Sequence, residues 1–217
     1  MWLSISGLRH AALALGAVAV LAGCAGDPNS PTSTYSSANV PPEYQARPDG
    51  DRLVPAVNPA YLTARNRRQW VAYDGPEAPG TIVVDPYARL LYHVVEPGKA
   101  MRFGIAVGKE GRGFKGEAVV RRKEEYPSWT PTKNMIRTDP DLYGPLAGGL
   151  PGGLDNPLGA RALYLYRGGK DTYYRIHGTN QPASIGQSWS NGCIRMLNDN
   201  VVDLYDRVPL GTQVTVL

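Results

Sequence analysis

Eight short runs rich in Val, Ile, Tyr and Leu, none longer than seven residues, set the limits on what this chain can fold into. They are Gln69 to Tyr73, Thr81 to Asp85, Leu90 to Val95, Met101 to Val107, Glu117 to Arg122, Ala162 to Tyr166, Tyr173 to Ile176 and Gln213 to Leu217. Turn signals such as Asp85-Pro86, Glu96-Pro97-Gly98 and Arg167-Gly168-Gly169 separate them. Runs of this length and residue type form strands, so the expected fold class is mostly β. Only two helices are expected. One is short, from Pro59 to about Arg67, with Asn58 as N-cap and Pro59 at the first helical position. The other runs from about Asp199 to Val208, where Val201, Val202, Leu204, Tyr205 and Val208 repeat at helical spacing behind an Asn198 cap. Between Tyr126 and Gly159 the chain is rich in Pro and Gly without a period, which reads as a long functional loop or lid.

The N-terminus belongs to a different category. Arg9 and His10 close a weakly basic start, and the apolar run from Ala11 to Leu21 is too short to cross a bilayer core of roughly 30 Å as a helix. Residues 1–23 therefore read as a secretory signal peptide. Leu21-Ala22-Gly23-Cys24 is similar to a bacterial lipobox, which makes Cys24 the expected lipidation site and new N-terminus. Two or three acyl chains hold a protein on a membrane stably where one does not. The residue after Cys24 is Ala25 rather than Asp, so the expected location is periplasmic, lipid-anchored, at the outer membrane. Residues 24–57 read as a flexible tether dominated by Pro, Ser and Thr, and residues 58–217 as the folded domain.

Charge excludes one class of partner and the cysteines point to another. The formal net charge is only +4, and no Arg/Lys stripe is interleaved with aromatics, so nucleic acid is not an expected partner. Of two cysteines, lipidation of Cys24 leaves no second cysteine to form an internal disulfide with Cys193. Exported proteins usually pair their cysteines, so a leftover thiol is reactive or linked to another chain.

Of three histidines, His10 leaves with the signal peptide and His93 reads as a partly exposed strand residue. His177 closes the strand Tyr174-Arg175-Ile176 and precedes Gly178, where a rigid scaffold meets a loop. The Gly-, Ser- and Asn-rich stretch from Gly178 to Gly192 must return Cys193 to it. An unperturbed thiol of pKa about 8.5 is only a few per cent thiolate at neutral pH. An adjacent imidazole is expected to shift it by one to two units, roughly 1.4 to 2.7 kcal/mol, toward the charged form. Gly192 lets the backbone around Cys193 approach a ligand closely, so its amides can donate to an oxyanion. Two ligands are too few for zinc, and neither a metal nor a cofactor is expected.

The pair of strings His177-Gly178-Thr179-Asn180 and Ser190-Asn191-Gly192-Cys193-Ile194-Arg195 resembles the active-site signature of the L,D-transpeptidase family. The similarity runs from about Ile82 to Leu217 and includes Asn156-Pro157-Leu158-Gly159. The resemblance implies a mostly β, sandwich-like catalytic domain that acts on peptidoglycan stem peptides. Cys193 would attack the carbonyl of the third residue of a donor tetrapeptide, expel the terminal D-alanine, and pass the acyl group to an acceptor amine as a 3-3 cross-link. His177 would be base and then acid, the Gly178 carbonyl would orient it, and the Gly192 amide would serve the oxyanion hole. Arg195, Asn191, Ser190 and Asn180 would contact substrate. Many members have histidine where this chain has Asn191, so proton exchange at that position is excluded here. Water, or an outer-membrane protein as acceptor, would make the enzyme a carboxypeptidase or a protein-to-wall ligase; a non-catalytic wall tether is the alternative outside enzymes.

Overall fold

The computed structural model describes residues 39–108, 114–187 and 193–217. Two strands form a small hairpin, β1 (Arg47–Asp49) and β2 (Arg52–Val54), turned at Gly50 with φ +64. Ten more form one sheet: β3 (Gln69–Tyr73), β4 (Ile82–Asp85), β5 (Leu90–Glu96), β6 (Gly98–Gly104), β7 (Ala106–Val107), β8 (Gly116–Glu125), β9 (Arg161–Arg167), β10 (Lys170–His177), β11 (Ile194–Arg195) and β12 (Gln213–Val216). Their order is β3-β6-β5-β4-β12-β8-β9-β10-β11-β7. The mostly β class expected from the short runs is what the chain adopts.

The order dictates a curled sheet. β6 is second from one edge and β7 is the other edge, yet only Ile105 separates them in the chain. Consecutive Cα atoms are 3.80 Å apart, so the sheet must fold over until its ends meet. The larger hydrophobic cluster among the described residues records the closure, since Phe103, Ile82, Val120, Leu163, Ile176 and Val107 come from strands well separated in the order and pack together. The sandwich-like shape follows from that wrap. The run Met101 to Val107, read as one strand, is broken at Ile105 because the chain changes edges there. The central β12 lies parallel to β4, with Val214 opposite Ile82, and antiparallel to β8, with Val214 opposite Ala118.

One long helix packs on the sheet. It is α3 (Asn198–Arg207), and it buries Val201, Val202 and Leu204 against β9 and β10. The stretch read as an aperiodic lid contains two short helices, α1 (Lys133–Thr138) capped by Thr132 and α2 (Pro140–Tyr143) capped by Asp139. Both are too short to show an apolar period, so capping residues were their only sequence signal. The helix expected from Pro59 shrinks to one 3-10 turn, Pro59–Tyr61, started by the Asn58 cap.

The tether boundary at residue 57 is corrected. Val40, Tyr44 and Val57 are buried in a second cluster with Ala106, Ile185 and Leu197. Tyr44 donates its hydroxyl to Asn200 Oδ1 at 2.9 Å and accepts from the Arg68 amide at 2.5 Å. Asp49 pairs with the buried Arg161 at 2.7 Å. The segment is polar on average, but one tyrosine and two valines suffice when an apolar recess awaits them. The folded body thus includes residues 39–57, while residues 1–38, with the signal peptide and Cys24, lie outside the described residues.

Candidate active site

Alternation and register build the site. Ile176 is buried in the core, so its neighbours Arg175 and His177 share the opposite face of β10. Ile194 is buried too, which puts Cys193 and Arg195 on the matching face beside β11. The two strands pair in parallel, Ile176 with Ile194 and His177 with Arg195. One step back, Cys193 falls beside Arg175, a diagonal neighbour of His177 with Cα atoms roughly 7–8 Å apart. A thiol, an imidazole and two guanidinium groups therefore converge because two isoleucines anchor the strands.

His177 is 3% exposed. Its Nδ1 lies 2.6 Å from the Gly178 carbonyl oxygen. A carbonyl only accepts, so Nδ1 carries the proton and Nε2 keeps the basic lone pair. Burial first and the nearby Arg195 charge second push the imidazole down to about 3, with the Gly178 and Pro157 carbonyls pulling the other way. It is neutral in the resting protein. Asn198 fixes this corner: its Oδ1 accepts from the Ala160 and Thr179 amides at 3.0 and 3.1 Å, and its Nδ2 donates to the Thr179 carbonyl at 3.0 Å. A β-carbon on Gly178 would collide with that Oδ1. Asn198 is therefore committed to the clamp rather than to capping α3, whose N-cap is Leu197.

Cys193 approaches the carbonyl of Tyr173, with Sγ 3.9 Å from the oxygen. That carbonyl is aimed by an irregularity, because the β10–β9 register shifts between Asp171 and Arg175 and Tyr173 has φ +61. The Tyr173 amide donates to Asp171 Oδ1 at 2.8 Å, and Asp171 grips Arg175 through two bonds of 2.7 and 2.9 Å. Tyr173 itself is 81% exposed. Burial pushes the Cys193 thiol up, opposed by the Arg175 amide and by the Arg175 and Arg195 charges. The expected downward shift is thus reversed. The imidazole is buried and the thiol half-buried, and the positive charge beside sulfur belongs to arginines rather than to an imidazolium.

Other expected residues are placed as follows. Arg195 donates to Gln181 Oε1 at 3.1 Å on the loop after β10. Asn180 donates to the Asp155 carbonyl at 2.8 Å, bracing the 150–156 loop. Ser190, Asn191 and Gly192 lie outside the described residues. His93, expected to be partly exposed, is 7% exposed, because β4 and β6 flank its strand. Arg175, Tyr173, Pro157 and Asn198 escaped the sequence reading as site residues. Arg175 was findable two positions before His177; a left-handed tyrosine in a strand leaves no sequence signal.

Residues 79–216 match the L,D-transpeptidase catalytic domain family, YkuD. The probable L,D-transpeptidase ErfK/SrfK of Escherichia coli strain K12 is 39% identical over 140 residues, covering 64% of this chain and 44% of that protein. The putative L,D-transpeptidase YqjB of Bacillus subtilis strain 168 is 50% identical over 116 residues, covering 52% of this chain and 57% of that protein. A solved structure from Brucella melitensis, described as a probable carnitine operon oxidoreductase, is 55% identical with a TM-score of 0.50, covering 72% of this chain and 98% of its own. The chain spans about half the length of the curated relatives it matches.

Proposed function

The chain belongs to the L,D-transpeptidase catalytic domain family, and on that premise we propose that it joins peptidoglycan stem peptides through a thioester on Cys193. The observation that carries the reading is the β10–β11 register, which sets Cys193, His177, Arg175 and Arg195 on one face. The Cys193 Sγ–H proton passes to His177 Nε2 as sulfur attacks the carbonyl of the third residue of a donor tetrapeptide. Because thiol and imidazole rest neutral, the transfer accompanies attack rather than preceding it, and Arg175 and Arg195 stabilise the negative charge as it forms. The tetrahedral oxyanion is held by backbone amides, that of Gly192 among them. Its collapse breaks the C–N bond, and His177 returns the proton to the departing D-alanine amine.

An acceptor amine then attacks the thioester, His177 takes its proton, and the C–S bond breaks to give a 3-3 cross-link and the restored thiol. The Gly178 carbonyl keeps Nδ1 protonated throughout, so Nε2 is the atom that works. The proposal extends to the N-terminus: export behind residues 1–23 and acylation of Cys24 would hold the enzyme in the periplasm at the outer membrane.

Incubation of purified protein with disaccharide-tetrapeptide, followed by mass spectrometry, tests the reaction. The expected result is a cross-linked dimer, released D-alanine and an acyl adduct on Cys193, all lost in Cys193→Ala. Loss of D-alanine without dimer would assign hydrolysis instead, and an unmodified Cys193 under turnover would sink the thioester.

A further inference from the structure

The turn that aims the Tyr173 carbonyl at Cys193 is held by side chains rather than by strand pairing. Between Asp171, opposite Tyr166, and Arg175, opposite Tyr164, three residues of β10 face Leu165 alone. Tyr173, in their middle, has φ +61, a left-handed conformation that a residue with a β-carbon adopts only under constraint. Strain of this kind persists only where its surroundings over-determine it.

Two residues supply the constraint. Thr172 donates its hydroxyl to the Leu165 carbonyl at 2.6 Å and accepts from the Tyr174 amide at 3.2 Å. Asp171 Oδ1 accepts from the Tyr173 amide at 2.8 Å and from Arg175 Nη1 at 2.7 Å, and its Oδ2 accepts from Arg175 Nη2 at 2.9 Å. One carboxylate therefore ties the strained turn to the arginine at the far end of the bulge. The aspartate and arginine side chains are 27% and 14% exposed, so the pair is largely out of water and its charges reach further than at an open surface.

Both groups that Asp171 holds act on the thiol. Cys193 directs Sγ–H toward the Tyr173 carbonyl at 3.9 Å, and an acceptor for that proton favours the neutral form. Arg175 does the reverse, since its amide and its guanidinium favour the thiolate. A carboxylate bonded to that guanidinium cancels part of the attraction. Other charged or titratable groups surround the pair. Beside Cys193 they are His177 and Arg195, with Tyr143 of α2 acting on Arg195. On β9 the Tyr164 ring lies 4.4 Å from the Arg175 guanidinium, and Tyr166 faces Asp171 across the ladder. On β8, Glu124 feels Arg175 through space but is hydrogen-bonded to Tyr164 and Arg122. Among the described residues, Asp171 is the carboxylate bonded to Arg175.

We propose that Asp171 is a positioning residue for the nucleophile: its one carboxylate keeps the Tyr173 carbonyl against Sγ and restrains the Arg175 charge beside it. The inference takes from the reading above only that Cys193 is the nucleophile. At rest the sulfur's proton has an acceptor and the Arg175 cation is part-neutralised, so the thiol stays protonated until His177 takes the proton during attack. Asp171 acts through Tyr173 and Arg175 rather than on the reacting atoms.

The test measures iodoacetamide labelling of Cys193 against pH in the full-length protein. Asp171→Asn keeps an oxygen for the Tyr173 amide but loses the charge, and should lower the inflection by about half a pH unit. Asp171→Ala loses charge and turn together and should lower it by about one unit. Asp171→Glu, which keeps the charge, should bring it back toward wild type. In an Arg175→Gln background Asp171→Asn should have far less effect, because the cation it would release is gone. An inflection that stays put or rises in both Asp171→Asn and Asp171→Ala overturns the proposal, as does an equal shift with and without Arg175. A merely structural loss would not sort the variants by charge. Should the alanine variant fold poorly, the isosteric asparagine and the Arg175 comparison decide alone. The expected shifts without any peptide thioester on wild-type Cys193 would support the role of Asp171 and condemn the transpeptidase reading.

Discussion

His93 and His177 occupy two regions of one sheet, and the contrast between them shows what makes a buried histidine useful. Both are buried, and burial holds both imidazoles below their ordinary value and so neutral. His93 lies within β5, flanked by Ile82 on β4 and Met101 on β6, with Arg207 and Asp203 as its nearest charges. Its Nδ1 has no hydrogen-bond partner among the described residues. His177 ends its strand, where Gly178 supplies a carbonyl to Nδ1 and β11 brings Cys193 alongside. Neutralisation by burial is common to both regions; a fixed tautomer and a neighbouring thiol belong to one.

The largest expected effect comes from exchanging the two. His177→Gln should lower the cross-linking kcat by about 10³-fold, within the range of general acid–base catalysis. His93→Gln should stay within about twofold of wild type in the same assay, and a comparable loss there would erase the distinction. Next come the glycines beside each histidine strand. Gly178→Ala drives a β-carbon into Asn198 and should cost about 2–3 kcal/mol in urea unfolding along with most activity. Gly98, at the β5–β6 turn with φ +80, has nothing near a β-carbon, so Gly98→Ala should cost only the left-handed strain of about 1 kcal/mol. Equal costs would mean that Asn198 moves aside readily.

The pH dependence of stability is the third measure. Both folded-state imidazoles are depressed, so between the unfolded value of 6.5 and their folded values the unfolded chain binds more protons. Stability should fall with acid through that window, with a limiting slope of about 1.4 kcal/mol per pH unit for each histidine. Asp199, 1% exposed and raised by burial from 3.8 to about 6, acts in the opposite sense: its contribution is present at low pH and lost as pH rises through that interval. Asp199→Asn should therefore steepen the acid loss between pH 6 and 4, and His93→Gln should flatten it. An unchanged slope in both variants would show that neither group is linked to folding. The smallest effect concerns sulfur. Iodoacetamide labelling of Cys193 should rise with pH through an inflection above that of an unperturbed thiol, the direction that burial sets. An inflection below 8.5 would restore a resting thiolate–imidazolium pair.

Much of this was legible in the sequence, and the gaps have physical causes. Each of the eight apolar runs lies on the sheet because alternation and β-branched residues report local backbone preference. The hairpin of β1 and β2 was missed because Arg47-Pro48-Asp49 carries no apolar face. It is held instead by Asp49 on Arg161, a partner 112 residues away. The likeness of the two catalytic strings located Cys193 and His177 in the chain, but not the state of their protons. That state depends first on burial, and for Cys193 also on Arg175, whose amide and charge pull the thiol the other way from across the β10–β11 pairing. Sequence reports side-chain preference well and desolvation poorly.

The placement of β12 also governs how this domain can be made. Gln213–Val216 is a late segment to leave the ribosome, yet it occupies the middle of the ten-strand order and bridges β4 to β8. Until it emerges, the two halves of the sheet have no backbone ladder between them along this seam. Folding must therefore wait for nearly the whole domain to be synthesised, and a chain held unfolded meanwhile loses no completed structure. A nonsense mutation ahead of Gln213 would do more than shorten the chain. It would divide the sheet at its centre and leave β4 and β8 as two exposed, aggregation-prone edges.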